Sequence, residues 1–284
     1  MRYLIFYILI LLSLTACFPY QNLIHESSAS AKKSPLNQFK HLKFKNRDLS
    51  YVYSNPDQHK NILVFVHGSP GSWKSFSYYL NSKKLKENFG LLVFDRPGYG
   101  TFIDQGSEKL LGSQAQMLNA ILKKEFNLNH SITLIGHSYG GPLIAKMAIE
   151  LADTLNINTL YFLAASMDPD LEKTKWFQYP AQWKIFKWLI PKPLVHCNEE
   201  ILHLKQDLLK LKPQLKLLAK KNILVLHGNK DDLVPVENIS YMQKHMHISN
   251  ENITILNKAN HFIPWSQSNL IIENLLNLID KKNI

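Results

Sequence analysis

The sequence predicts an α/β fold in which a mostly parallel central sheet is flanked by helices on both faces. Three observations predict it. Short apolar runs of strand length recur at residues 62–66, 91–94, 132–135, 159–163 and 223–226, bounded by glycine, proline or polar turn residues. Helix-compatible segments separate most of these runs, and such alternation implies parallel strands joined by crossover helices. The runs are nearly continuous in apolar residues, as in strands covered on both faces; a strand with one wet face would alternate.

From the amino terminus, residues 1–16 hold one basic residue, Arg2, an apolar stretch over 4–14, and small residues ahead of Cys17. That is the layout of a secretory signal peptide. The apolar stretch is short for a bilayer span, so it reads as a leader and not as a permanent helix. Leu14-Thr15-Ala16-Cys17 resembles the lipobox of bacterial lipoproteins, whose cysteine is lipidated and becomes the first mature residue. The resemblance implies a protein of the bacterial cell envelope, attached to the membrane through Cys17. Phe18 follows where an aspartate would retain a lipoprotein at the inner membrane, which favours the periplasmic side of the outer membrane in a diderm source. The plainer alternative is an ordinary signal peptide with a cysteine there by chance. With Cys17 acylated, Cys197 is the only other cysteine, no intramolecular disulfide forms, and Cys197 reads as a small packed residue.

Residues 17–47 read as the lipidated cysteine followed by a flexible basic tether. Positions 27–34 are rich in Ser, Ala and Lys without apolar periodicity, and Lys40, Lys43, Lys45 and Arg47 crowd the next stretch. The formal net charge is +11. A basic protein at a lipid surface is drawn to anionic headgroups by about 1 kcal/mol per basic residue, although a solvated basic face accounts for the same lysines. Nucleic acid is not expected as a partner, since no aromatic-basic binding motif is present and export removes the protein from that compartment.

Residues 48–284 form one domain, long enough for a single sizeable core. Strands are predicted near 51–53, 62–66, 91–94, 132–135, 159–163, 223–226 and 253–256. The alternation fails over 166–221. This segment is too long for one crossover; it carries Trp176, Trp183, Trp188, Pro180, Pro191 and Pro193, then a lysine-leucine helix pattern over 199–218. Its tryptophans either wall an apolar substrate pocket or pack the segment on the sheet domain. As an insertion it is expected to be separable, so that a short linker in place of residues 172–216 would leave a folded sheet domain.

The chemistry-bearing residues sit where these strands end. Gly136-His137-Ser138-Tyr139-Gly140 reads G-x-S-x-G between an apolar run and a helix-compatible segment, the context of a serine nucleophile on a sharp strand-to-helix turn. After the 223–226 strand comes Gly228-Asn229-Lys230-Asp231-Asp232-Leu233-Val234-Pro235, and after the 253–256 strand comes Asn260-His261-Phe262. Ser138 is the candidate nucleophile, His261 the general base and Asp231 the orienting acid. His67, His137 and His227, each beside a motif glycine, read as packed supports, and Asp95 as a stabiliser of its own loop. No H-E-x-x-H, paired-cysteine or glycine-rich phosphate-loop pattern occurs, so neither metal nor cofactor is expected.

Together with His67-Gly68-Ser69-Pro70-Gly71 and Asp95-Arg96-Pro97-Gly98-Tyr99-Gly100, these motifs resemble the α/β-hydrolase family over about residues 60–265. The resemblance implies the α/β-hydrolase fold with a helical cap after its sixth core strand, here at about 166–221 and read as a lid over the serine; its G-x-x-D-x-x-V-P spacing selects Asp231, while some relatives carry the acid one strand earlier, where Asp168 and Asp170 stand. It also implies an oxyanion hole made by the backbone N–H groups of Ser69 and Tyr139, Pro70 having none to give. The activity implied is cleavage of a small-molecule ester or amide, a carboxylic ester foremost, through an acyl-enzyme. Two alternatives stand beside it. One is a serine peptidase, because His-Gly-Ser-Pro-Gly is similar to the His-Gly-Gly-Pro-Gly of proline iminopeptidase relatives, with Ser69 replacing a glycine. The other is a lipoprotein that binds ligands without turnover. A serine at 138 departs from the aspartate nucleophile of haloalkane dehalogenases and epoxide hydrolases of this fold.

Overall fold

The structure, a computed structural model, describes residues 20–54, 59–173 and 190–280; the leader, Cys17 and the cap residues Trp176, Pro180, Trp183 and Trp188 lie outside them. Eight strands form one sheet: β1 (Asn37–Phe44), β2 (Arg47–Ser54), β3 (Asn61–Val66), β4 (Gly90–Phe94), β5 (Ser131–His137), β6 (Ile157–Leu163), β7 (Asn222–Gly228) and β8 (Ile253–Leu256). Their order is β1-β2-β4-β3-β5-β6-β7-β8. The β1–β2 and β2–β4 pairs are antiparallel and every later pair is parallel. The helices are α1 (Gln21–Lys33), α2 (Ser77–Leu80), α3 (Lys83–Asn88), α4 (Leu111–Glu125), α5 (Gly140–Glu150), α6 (Lys192–Leu211), α7 (Asn238–Met246), α8 (Ile263–Ser266) and α9 (Ser268–Asp280). Among the described residues no helix is long and apolar enough to cross a membrane.

The apolar runs become strands buried on both faces because successive side chains enter different cores. In β3, Ile62, Val64 and Val66 join one cluster with Leu118 of α4 and Leu143 of α5, while Leu63 and Phe65 join the other with Tyr79 of α2 and Ile271 of α9. The sheet order reverses about β3, whose neighbours are β4 and β5. In open α/β sheets, ligands bind beyond the carboxyl ends of the strands at such a switch point. The loop holding Ser69 leaves β3 there, and the turn holding Ser138 leaves β5 beside it.

Two expectations change. Described residues of the 17–47 segment are ordered elements, not a tether: residues 21–33 form α1 and residues 37–44 form β1. The small residues that suggest flexibility are a packing face, with Ser27, Ser28 and Ala31 buried. Ser27 Oγ lies 2.5 Å from Ser77 Oγ, and Asn37 Nδ2 donates to the Ala31 carbonyl at 2.8 Å. β1 is an edge strand with little buried surface, so its apolar signal is weak; Lys40 reaches inward to pair with Glu125 at 3.0 Å.

The cap also differs. Pro191 and Pro193 open α6, where the fixed proline φ suits a first turn, and the helix runs on into a 3₁₀ segment at Lys212–Leu218. Leu204, Leu208, Leu211, Leu215 and Leu218 are buried in the same cluster as the sheet. At about 1.5–3 kcal/mol for each fully buried leucine, this part of the cap belongs to the core and is not separable.

Candidate active site

The turn after β5 is built by sterics. Ser138 has φ of 54°, the left-handed region that a side-chain-bearing residue enters only when its surroundings impose it. Three backbone bonds do so: Ser138 N–H donates to the Leu163 carbonyl at 3.0 Å, and the Ser138 carbonyl accepts from Gly141 at 2.9 Å and Ser166 at 3.3 Å. Gly140 must be glycine, because a Cβ there would collide with the Val66 carbonyl oxygen of β3. The neighbouring loop approaches as closely. A Cβ on Gly68 would stand 3.0 Å from Ser138 Cβ, so the backbone leading into Ser69 lies directly against the serine.

The backbone N–H groups of Ser69 and Tyr139 adjoin this turn, Ser69 following Gly68 and Tyr139 following Ser138, and neither donates to a backbone acceptor among the described residues outside regular helix and strand bonding. Tyr139 is the N-cap of α5, so the positive end of that helix dipole lies at the serine. The Ser69 side chain is engaged elsewhere, its Oγ donating to Glu200 at 2.5 Å.

Asp231 and His261 are brought together from loops thirty residues apart. His261 Nδ1 lies 2.7 Å from Asp231 Oδ2, while Asp231 Oδ1 accepts the N–H groups of Leu233 at 3.0 Å and Val234 at 2.8 Å. Burial alone would raise the Asp231 pKa, but hydrogen bonds from His227, His261 and Val234 outweigh it and hold the carboxyl well below the usual range. It is therefore an ionised acceptor at neutral pH. Asp232 is exposed, and Asp168 Oδ1 accepts the N–H of Asp170 within its own turn. Among the described residues no hydrogen bond joins Ser138 Oγ to His261; in unliganded sites such bonds are often long and tighten with substrate.

The other histidines take supporting positions. His67 Nε2 accepts the Arg96 N–H at 3.0 Å, which leaves the proton on Nδ1, donated to the Gly68 carbonyl at 2.7 Å. His227 Nε2 lies 2.9 Å from the Val234 carbonyl. His137 Nε2 lies 3.1 Å from the His261 carbonyl, and the two rings are 4.7 Å apart. Asp95 ties two short 3₁₀ turns to strand β2: Oδ1 accepts from Trp73 N at 2.8 Å, and Oδ2 from Thr101 N at 3.1 Å and from Ser50 Oγ of β2 at 2.7 Å.

Burial first, and then the charge of His261, push the His137 pKa down to about 3. Its unfolded value is about 6.5, so as pH falls below 6.5 the unfolded chain takes up a proton the folded site refuses, and stability drops. By pH 5 the loss is ~2 kcal/mol for this one group. We expect His137→Asn to melt with a shallower dependence on pH between 7 and 5 than the parent, measured by circular dichroism. Parallel slopes would show that His137 is protonated in the folded protein.

One buried network escaped sequence reading. Glu200 of α6 pairs with Arg96 through two bonds, Nη1–Oε1 at 2.7 Å and Nη2–Oε2 at 3.0 Å, with both side chains fully buried. Glu200 also accepts from Tyr99 Oη at 2.7 Å and Gln114 Nε2 at 2.8 Å. The Arg96 guanidinium stacks between the rings of Tyr99 and Tyr139, at 4.8 and 4.5 Å. The cap is thus joined to the loops of Ser69 and Tyr139 through one carboxylate. A signal existed: His196, Glu200, Leu204, Leu208 and Leu211 share the buried stripe of α6, and a charge on such a stripe calls for a buried partner.

Comparison with known proteins agrees with this architecture. A candidate lipase from Acinetobacter baumannii AYE superposes with a TM-score of 0.63 at 19% identity, covering 92% of this chain and 96% of that one. A membrane phospholipase A, described as a bacterial virulence factor, superposes with a TM-score of 0.64 at 16% identity, covering 99% of both chains. The peroxisomal alpha-beta-hydrolase Lpx1 of Saccharomyces cerevisiae gives 0.63 at 13%, covering 86% of this chain and 88% of the other. At these identities the likeness is one of fold. No curated protein matches the sequence. The model of the alpha/beta hydrolase family matches residues 63–269, the span holding both loops, the Ser138 turn, the cap and the Asp231–His261 pair. The chain belongs to the alpha/beta hydrolase family.

Proposed function

We propose that this hydrolase is a serine enzyme that cleaves carboxylic esters through an acyl-enzyme, and that a lipid on Cys17 holds it at the bacterial cell envelope. The observation that carries the catalytic reading is the 2.7 Å contact of His261 Nδ1 with Asp231 on the same sheet end as the left-handed Ser138 turn. Asp231 fixes the proton on Nδ1, which leaves Nε2 basic. Ser138 Oγ attacks the ester carbonyl as its proton passes to His261 Nε2, and the oxyanion forms against the Ser69 and Tyr139 amides. Collapse breaks the acyl C–O bond, His261 returns the proton to the departing alkoxide, and water repeats the sequence on the acyl-serine. Removing one oxyanion donor in such sites costs about 2.7–4 kcal/mol.

The anchoring reading is supported by the sequence Leu14-Thr15-Ala16-Cys17. The ester reading is supported by the likeness in fold to a candidate lipase and a phospholipase A.

The purified protein is expected to hydrolyse p-nitrophenyl esters and to leave aminoacyl arylamides almost untouched. A preference for the arylamides would replace the esterase reading with a peptidase. Asp231→Asn should lower kcat by about 10⁴-fold, because an amide at that position favours the wrong imidazole tautomer. A loss under tenfold would assign the orienting role to another carboxylate.

A further inference from the structure

We infer that the face carrying Ser138, Asp231 and His261 rests against the lipid bilayer, so that the substrates are acyl esters of membrane lipids entering from the membrane. This rests on the serine-hydrolase reading and on the Cys17 anchor. The observation is where the chain enters the fold. The Tyr20 ring stacks on Trp265, with centroids 6.2 Å apart at an interplanar angle of 17°, and lies 6.2 Å from Phe262. Both partners belong to the candidate site: Phe262 follows His261, and Trp265 meets the His137 ring edge-on at 5.5 Å.

Tyr20 is not the end of a swinging arm. Its carbonyl accepts from Ile24 N at 3.0 Å as α1 begins, and α1 is fixed to the body where Asn81 Nδ2 donates to the Ser27 carbonyl at 2.8 Å. Cys17 precedes Tyr20 by three residues, and three residues of chain reach at most about 11 Å. Lipid on Cys17 therefore holds the bilayer beside the His261 loop. The loops after β7 and β8 suit that neighbour. Leu233 is 57% exposed, with Lys230 and Lys258 exposed on the same loops and the exposed acids Asp232 and Glu237 beside them. An exposed leucine between charged side chains fits a bilayer interface, where the apolar side chain enters the acyl region and the charges stay among the headgroups. Leu128, 63% exposed, lies at the opposite end of the sheet, just before the start of β5, and serves as the reference position for that end.

The test uses the full acylated chain, in a Cys197→Ser background, on vesicles of phosphatidylethanolamine and phosphatidylglycerol. A fluorophore is attached at Leu233→Cys or at Leu128→Cys, and the lipids carry nitroxide quenchers. The Leu233 label should lose most of its fluorescence, and the Leu128 label no more than it loses with protein lacking the acyl chain. Equal quenching at both sites, or stronger quenching at Leu128, overturns the orientation. A ~20-residue Gly/Ser insert between Pro19 and Tyr20, with a root-mean-square span of about 25 Å, should lower hydrolysis of vesicle phospholipid several-fold and leave a soluble acetate ester unaffected. Unchanged phospholipid hydrolysis overturns the coupling of anchor to site. Vesicle flotation reads the anchor and fluorophosphonate labelling reads the serine, so failure of either falls on the underlying reading and overturns the inference with it.

Discussion

Ser138→Ala is expected to abolish fluorophosphonate labelling and to lower kcat for a p-nitrophenyl ester by about 10⁴- to 10⁶-fold. The left-handed backbone at Ser138 holds its side chain on the turn between the Ser69 loop and the N-terminus of α5, where no neighbouring hydroxyl occupies the same position. Alanine removes the proposed nucleophile and leaves the Asp231–His261 pair and both amides, so the residual rate measures what the proposed oxyanion donors achieve with water alone. His261→Ala should lose nearly as much, and the double variant little more than either single one, because nucleophile and base act as one unit. Fully additive losses would mean that the two residues do not share a step. Retained turnover in Ser138→Ala would remove the serine mechanism.

Glu200→Ala should produce the largest stability loss of any single substitution in the cap. It leaves Arg96, fully buried and unable to shed its proton, without its carboxylate partner. Breaking a buried ion pair from one side costs about 3–5 kcal/mol, which for a domain of this size lowers the melting temperature by about 10 °C. Turnover should fall as well, because the Ser69 side chain loses its bond to Glu200, keeping only the one to Tyr99, and the loop bearing the Ser69 amide is released from α6. Glu200→Gln keeps the volume and one acceptor, so its melting temperature should lie between parent and Glu200→Ala. A melting temperature for Glu200→Ala equal to the parent's would show that water enters and replaces the carboxylate, and that the cap is held by its leucines alone.

The strands were legible where both faces are covered, because burial on two sides writes an unbroken apolar run: 62–66, 91–94 and 132–135 all lie within β3, β4 and β5. Legibility failed at the open edge. β1 buries little, so Lys40, whose ammonium reaches Glu125, reads in the sequence as one more solvated lysine. The α1 segment failed for a different reason. Its seryl side chains satisfy themselves on the Ile24 and His25 carbonyls and pack against α2, a use of small residues that composition does not distinguish from flexibility.

What the sequence determined by itself are features set by neighbours along the chain: the apolar runs, the glycines that let a serine turn approach a strand, and the acid and histidine on loops after β7 and β8. Local sterics and local burial suffice for these, and each leaves its mark within a few residues. Tertiary structure alone decided the pairing of Arg96 with Glu200 across 104 residues, the insertion of the cap leucines into the sheet's own core, and the docking of Tyr20 beside His261. The physical reason is that the free energy of a buried charge or a stacked ring depends on the group it meets, and that group's distance along the chain has no bearing on it.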